Sequence, residues 1–126
     1  MNWARAIILK SPAEIEIMRQ AGRINALALQ AVREAIRPGV TTAELDEIAH
    51  EVIRQHGGKP AFIGVLGAYP YPATLTVSVN DELVHGIPGK RRLQEGVRPR
   101  HVDHVVGVVL DVLVAVGRDG DDVRAP

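Results

Sequence analysis

The 126-residue chain has no cysteine. That excludes disulfides and thiolate metal sites, and it leaves carboxylates, imidazoles and water as the available metal ligands. Net charge is also lacking, because fifteen Lys and Arg balance fifteen Asp and Glu. No overall field favours nucleic acid or an anionic membrane, so neither is expected as a specific partner. Long apolar runs are missing too. The longest, VVGVVLDVLVAV at 105–116, contains Asp111 and falls short of the roughly 18 residues a membrane span needs. The opening MNWARAIILKSPAE has a short apolar stretch before Lys10 and no small-residue cleavage site, which argues against a signal peptide. Together these absences suit a soluble, cytoplasmic chain that forms one small domain or a piece of a larger one.

What is present reads as two helices followed by strands. Ser11-Pro12-Ala13-Glu14 fits a capping box, in which Ser accepts from an orphan helix amide, Pro sits at the first helical position and Glu reaches back. Met18, Ala21, Gly22, Asn25, Ala28, Leu29, Val32 and Ile36 recur at helical spacing up to Arg37-Pro38-Gly39, where proline cannot continue the helix. This predicts a helix of about 25 residues. Thr41-Thr42-Ala43-Glu44 repeats the capping pattern. Leu45, Ile48, Ala49, Val52 and Ile53 then form an apolar stripe ending at His56-Gly57-Gly58, a second helix of about 14 residues. In ATLTVSV, Leu75, Val77 and Val79 alternate with Thr74, Thr76 and Ser78, which predicts a strand with one buried face, and Asn80-Asp81 supplies a turn. The prolines of AYPYPAT make that segment a loop carrying rigid aromatics. The fold class is α+β.

His85 lies in LVHGIPG, flanked by Gly86 and the Pro88-Gly89 turn. The backbone after it can bend and leave the imidazole facing a cleft, and imidazole exchanges protons near neutrality. Around this residue, LKSPAEIEIMRQAGRI, RPGVTTAELDEIAHEVI and SVNDELVHGIPGKRRLQEG follow in order. Residues 8 to 96 resemble the N-terminal half of the type I methionine aminopeptidases. The resemblance implies half of a pita-bread fold and the removal of the initiator methionine from nascent polypeptide N-termini, with two divalent metal ions (Co, Mn, Fe or Zn). It also implies that His85 sits near the scissile amide and assists the reaction, and that Tyr71, Val65 and Thr76 line the pocket for the methionine side chain.

The same resemblance implies metal ligands: two aspartates just after Gly96, then a histidine and two glutamates further on. The family continues in the manner of DIVSIDVG, which places an aspartate where this chain has Val102. Asp103 comes one position later, which on a strand turns its side chain to the opposite face. Asp111 and Asp122 have the family's separation but come too late, and His101-Val102-Asp103-His104 reads as a solvated polar turn. No metal ligand is assigned. Residues 97–126 use eight residue types, all with codons beginning in G or C, whereas 28 of the first 96 residues are of types lacking such codons. This break divides the chain into 1–96, half of an aminopeptidase domain, and 97–126, a biased tail that fits a reading-frame disruption. The chain is therefore expected to be inactive, with its apolar run 105–116 serving as a makeshift edge strand or an aggregation site. A second reading is a non-catalytic module that binds ribosomes or nascent chains through Gly89-Lys90-Arg91-Arg92. GIPGK lacks the spacing that wraps a phosphate.

Overall fold

Both helices begin at the expected boxes. In the computed structural model, which describes residues 8–95 and the strand backbone at 108–112 and 114–115, α1 spans Pro12–Ala35 and α2 spans Thr42–Gln55. Glu14 accepts the Ser11 N–H at 2.7 Å while its own N–H donates to Ser11 Oγ at 3.3 Å. Thr41 and Glu44 repeat the exchange at 2.7 and 3.1 Å. Each box satisfies two amides that a helix start otherwise leaves unpaired. Helix α2 closes on a left-handed Gly57, φ 76°. There the Gly57 N–H donates to the Arg54 carbonyl and the Gly58 N–H to the Ile53 carbonyl, so two C-terminal carbonyls are satisfied by a turn that favours glycine.

The core lies where α1 and α2 cross. Ile24, Ala28 and Val32 of α1 are buried against Leu45, Ala49 and Ile53 of α2, joined by Leu75, Val77, Val79 and Leu93. Each large aliphatic side chain among these contributes about 1.5–3 kcal/mol through burial. The stripe predicted for α1 is largely in phase: Ala28 and Val32 are core residues, and Ala21, Leu29 and Ile36 pack against them. Ile24 belongs to the core, whereas Met18 and Gly22 are exposed. The fully covered residues of α1, Ile24, Ala28 and Val32, all come from its second half, and the misses lie toward its start.

Four short strands lie among the described residues: β1 Lys59–Pro60, β2 Leu75–Val79, β3 Val108–Val112 and β4 Val114–Ala115. Strands β2 and β3 pair antiparallel, from Leu75 opposite Val112 to Val79 opposite Val108, and β1 pairs antiparallel with β4. The β-prone run at 105–116 thus contributes strand backbone. Strand β2 is buried on both faces, not on one. Leu75, Val77 and Val79 face the helices, while Thr76 and Ser78 lie beneath the loops that carry His85 and Tyr71. A period-two pattern of Val with Thr and Ser reads as half-exposed, yet hydroxyls tolerate burial where they find partners.

Segment 39–42 pairs with 89–93. Leu93 donates to the Val40 carbonyl and Gly39 to the Leu93 carbonyl, both at 2.8 Å, and Thr42 donates to Arg91 at 3.0 Å. The chain following His85 is thereby tied to the start of α2. Val102, Asp103, Asp122 and the 101–104 cluster lie outside the described residues.

Candidate active site

The site is assembled on the face of β2 away from the helices. The loop that precedes β2 folds back on itself: Gly64 donates to the Tyr71 carbonyl at 2.9 Å, Tyr71 to Val65 at 3.0 Å and Val65 to Phe62 at 3.1 Å. A left-handed Gly64, φ 83°, makes the reversal. Phe62 meets the Tyr71 ring edge-on, with centroids 6.2 Å apart, an arrangement that fixes both rings. The Tyr71 hydroxyl shares its one proton between the carbonyls of Leu75 at 2.8 Å and Gly86 at 3.2 Å. Its proton is committed to the backbone, and burial, followed by the nearby Asp46 and Tyr69 charges, raises its pKa. Tyr71 is therefore a structural wall, not an acid.

After β2 the chain turns at Asn80, φ 60°, as expected from Asn80-Asp81. Glu82 then takes the Val79 N–H at 3.0 Å. The following segment returns along β2, where the Val77 N–H donates to the Gly86 carbonyl at 2.8 Å. The approach is so close that a Cβ on Gly86 would lie 2.1 Å from the Val77 carbonyl oxygen. Glycine is required there by contact, not by dihedral freedom. His85 itself is left-handed, φ 57°, and its side chain stands exposed at the rim.

All four residues singled out from the sequence meet here. Val65, Tyr71, Thr76 and His85 line one cavity of about 360 Å³, together with Phe62 and Ile87. That volume lies at the low end of ligand pockets, and its lining is mostly apolar. Thr76 is buried in the wall and Val65 is half-exposed at the mouth.

Several contributors were not legible. Asp46 accepts the Leu75 N–H at 2.7 Å, holding the residue whose carbonyl Tyr71 binds. Burial raises its pKa, partly offset by the hydrogen bonds from Leu75 and Thr74. One turn along α2, His50 Nδ1 lies 2.9 Å from Thr74 Oγ1. The spacing of Asp46 and His50 on a helix facing β2 was the available signal. Ser78, which accepts the Gly86 N–H at 3.2 Å, was hidden by its place in an alternating strand.

The basic stretch is largely engaged within the chain. Arg91 forms an ion pair with Glu82, and Arg92 Nη1 donates to the Gly39 carbonyl at 2.6 Å. Among the described residues, no three histidine, aspartate or glutamate side chains gather closely enough to hold a metal ion. They do not fit a dinuclear centre. No described helix is long and apolar enough to cross a membrane.

Comparison with known proteins places this geometry in context. The profile of metallopeptidase family M24 matches residues 16–115. The chain is 48% identical over 90 residues to the methionine aminopeptidase of Clostridium perfringens, covering 71% of this chain and 35% of that protein. It is 49% identical over 90 residues to methionine aminopeptidase 1 of Bacillus subtilis, with the same coverage. The crystal structure of methionine aminopeptidase from Thermotoga maritima superposes with a TM-score of 0.65 at 41% identity, covering 70% of this chain and 34% of that one. The chain thus spans about a third of the length of the curated relatives it matches. The family match continues beyond Gly96 into the strand backbone of β3 and β4.

Proposed function

Because the chain belongs to metallopeptidase family M24 and has the α+β arrangement of the first part of a pita-bread fold, we propose that it carries the substrate-recognition portion of a methionine aminopeptidase. Its substrates are the N-termini of nascent cytoplasmic polypeptides that begin with methionine. The observation that carries this reading is the convergence of Val65, Tyr71, Thr76 and His85 on one small apolar cavity. An unbranched thioether is flexible and polarizable, and it suits a pocket walled by aromatic rings. The exposed imidazole of His85 stands where the backbone of a bound N-terminal residue leaves the cavity. There it donates a hydrogen bond to the amide being cleaved and holds it in place.

In this family, two divalent cations (Co, Mn, Fe or Zn) activate water and polarise the amide when bound. The described residues supply no holders for them, so the work assigned to these residues is recognition and orientation. The chain alone is expected to leave a Met-Ala-Ser peptide intact in Co²⁺ or Mn²⁺. Turnover like that of a full-length relative overturns this expectation. Recognition is tested separately by titrating labelled protein with methionine amide. Signals of Phe62, Tyr71, Thr76 and His85 should shift with methionine and norleucine amides, and not with alanine amide. Equal response to all three, or none, refutes the pocket assignment.

The alternative of a ribosome- or nascent-chain-binding module through residues 89–92 is less well supported. Two of its three cations already have partners within the chain, which leaves Lys90 as its main contributor.

A further inference from the structure

Left-handed backbone at a non-glycine residue persists where surrounding contacts over-determine it. His85 adopts it next to the cavity, and several backbone contacts gather on the following residue. The Gly86 carbonyl accepts the Val77 N–H at 2.8 Å and the Tyr71 hydroxyl at 3.2 Å. The Gly86 N–H donates to Ser78 Oγ at 3.2 Å. Rotation of the peptide between His85 and Gly86 is what ψ of His85 measures, so the Ser78 bond holds that rotation directly. Ser78 is buried, 3% exposed, on a strand otherwise rich in valine. A hydroxyl there keeps the part-buried Gly86 amide paired.

We propose that Ser78 is a positioning residue: its hydroxyl, through the Gly86 amide, locks His85 left-handed and so aims the imidazole at the mouth of the cavity. The assignment rests on the reading of His85 as the group that meets substrate, but its backbone content is testable apart from that reading. Ser78 touches no part of the proposed substrate position; it acts through Gly86.

The test uses the full-length chain labelled with ¹⁵N and ¹³C. In the unsubstituted protein the Gly86 amide exchanges at least tenfold more slowly than a free amide, and the His85 Cα shift and backbone coupling report a positive φ. In Ser78→Ala, exchange at Gly86 accelerates about tenfold, as loss of one hydrogen bond implies. The His85 Cα shift moves toward extended values, and the response to methionine amide is lost at His85 while Phe62 still responds. Amides of Ala28 and Ala49, inside the helices, keep their rates. Ser78→Cys, nearly the same size with a weak acceptor, gives intermediate values and stands in if the alanine variant does not fold. The proposal fails if Gly86 in the unsubstituted protein exchanges as freely as Lys10, or if Ser78→Ala leaves Gly86 and His85 unchanged. It fails as well if all helix amides accelerate together, the mark of a merely structural serine. If Ser78→Ala releases His85 but methionine amide never shifts any cavity signal in the unsubstituted chain, the clamp stands and the pocket assignment falls.

Discussion

The helical pair and the loops around His85 are held by different forces. Helices α1 and α2 are joined by interchangeable apolar contacts among Ile24, Ala28, Val32, Leu45, Ala49 and Ile53. No single atom there has a unique partner. The loops at 62–71 and 85–89 instead hang on the backbone donors and acceptors of individual residues: Leu75 between Asp46 and Tyr71, Gly86 between Ser78, Tyr71 and Val77, and Gly89 on the Thr42 hydroxyl. Apolar packing is non-directional and sets stability. Hydrogen bonds contribute modest net energy but strong directionality, so they set the shape of the cavity.

This contrast predicts that stability and site geometry separate under mutation. The largest loss of stability comes from the helical pair. Leu45→Ala removes a fully buried side chain and should cost about 3 kcal/mol, read as a lower urea midpoint. The folded fraction should keep its methionine-amide response. Loss of that response in folded Leu45→Ala protein breaks the comparison.

Gly86→Ala should do the reverse. The added Cβ would sit 2.1 Å from the Val77 carbonyl oxygen, so the 85–87 segment must move away from β2. A cost of about 2 kcal/mol is expected, smaller than for Leu45, but the methionine-amide shifts at His85 and Tyr71 should vanish. A Gly86→Ala variant that retains them shows that the segment is looser than its contacts indicate.

Legibility in the sequence follows the same division. Capping boxes and the stripe of α2 were readable because they repeat at fixed spacing, and Ser11, Glu14, Thr41 and Glu44 act on neighbours three residues away. His85 was marked by the Gly86 and Pro88-Gly89 turn after it, but Val65, Tyr71 and Thr76 were readable only through the family resemblance, since the four cavity residues follow no shared period. Ser78 was not readable, and Asp46 was signalled only by its one-turn spacing from His50 on α2. Their partners, Gly86 and Leu75, lie 8 and 29 residues away, and nothing in a pattern of alternating Val and Ser says which carbonyl or amide a hydroxyl will meet. The misses in α1 have a related origin: Met18 and Ile24 are both apolar, and only the crossing with α2 decides which is covered.

The smallest effects lie in pH dependence, where the two regions should have opposite signs. Glu44, fully exposed at the start of α2, has its pKa lowered from the ordinary 4.5, mainly by the Thr41 N–H and hydroxyl it accepts. The folded state therefore favours its ionised form. That contribution is complete above 4.5 and is lost as pH falls through the lowered folded value. Asp46, half-buried beneath the site, has its pKa raised from 3.8 because burial outweighs the hydrogen bonds it accepts. The folded state favours its protonated form, so stability rises as pH falls through the raised folded value and the gain is complete below 3.8. Between neutrality and pH 3 the two partly cancel. Glu44→Gln should flatten the fall in urea midpoint on acidification, and Asp46→Asn should steepen it. Slopes that change in the same direction for both variants contradict the burial of Asp46. They would leave Leu75 and Tyr71 without the fixed carboxylate on which this side of the cavity is hung.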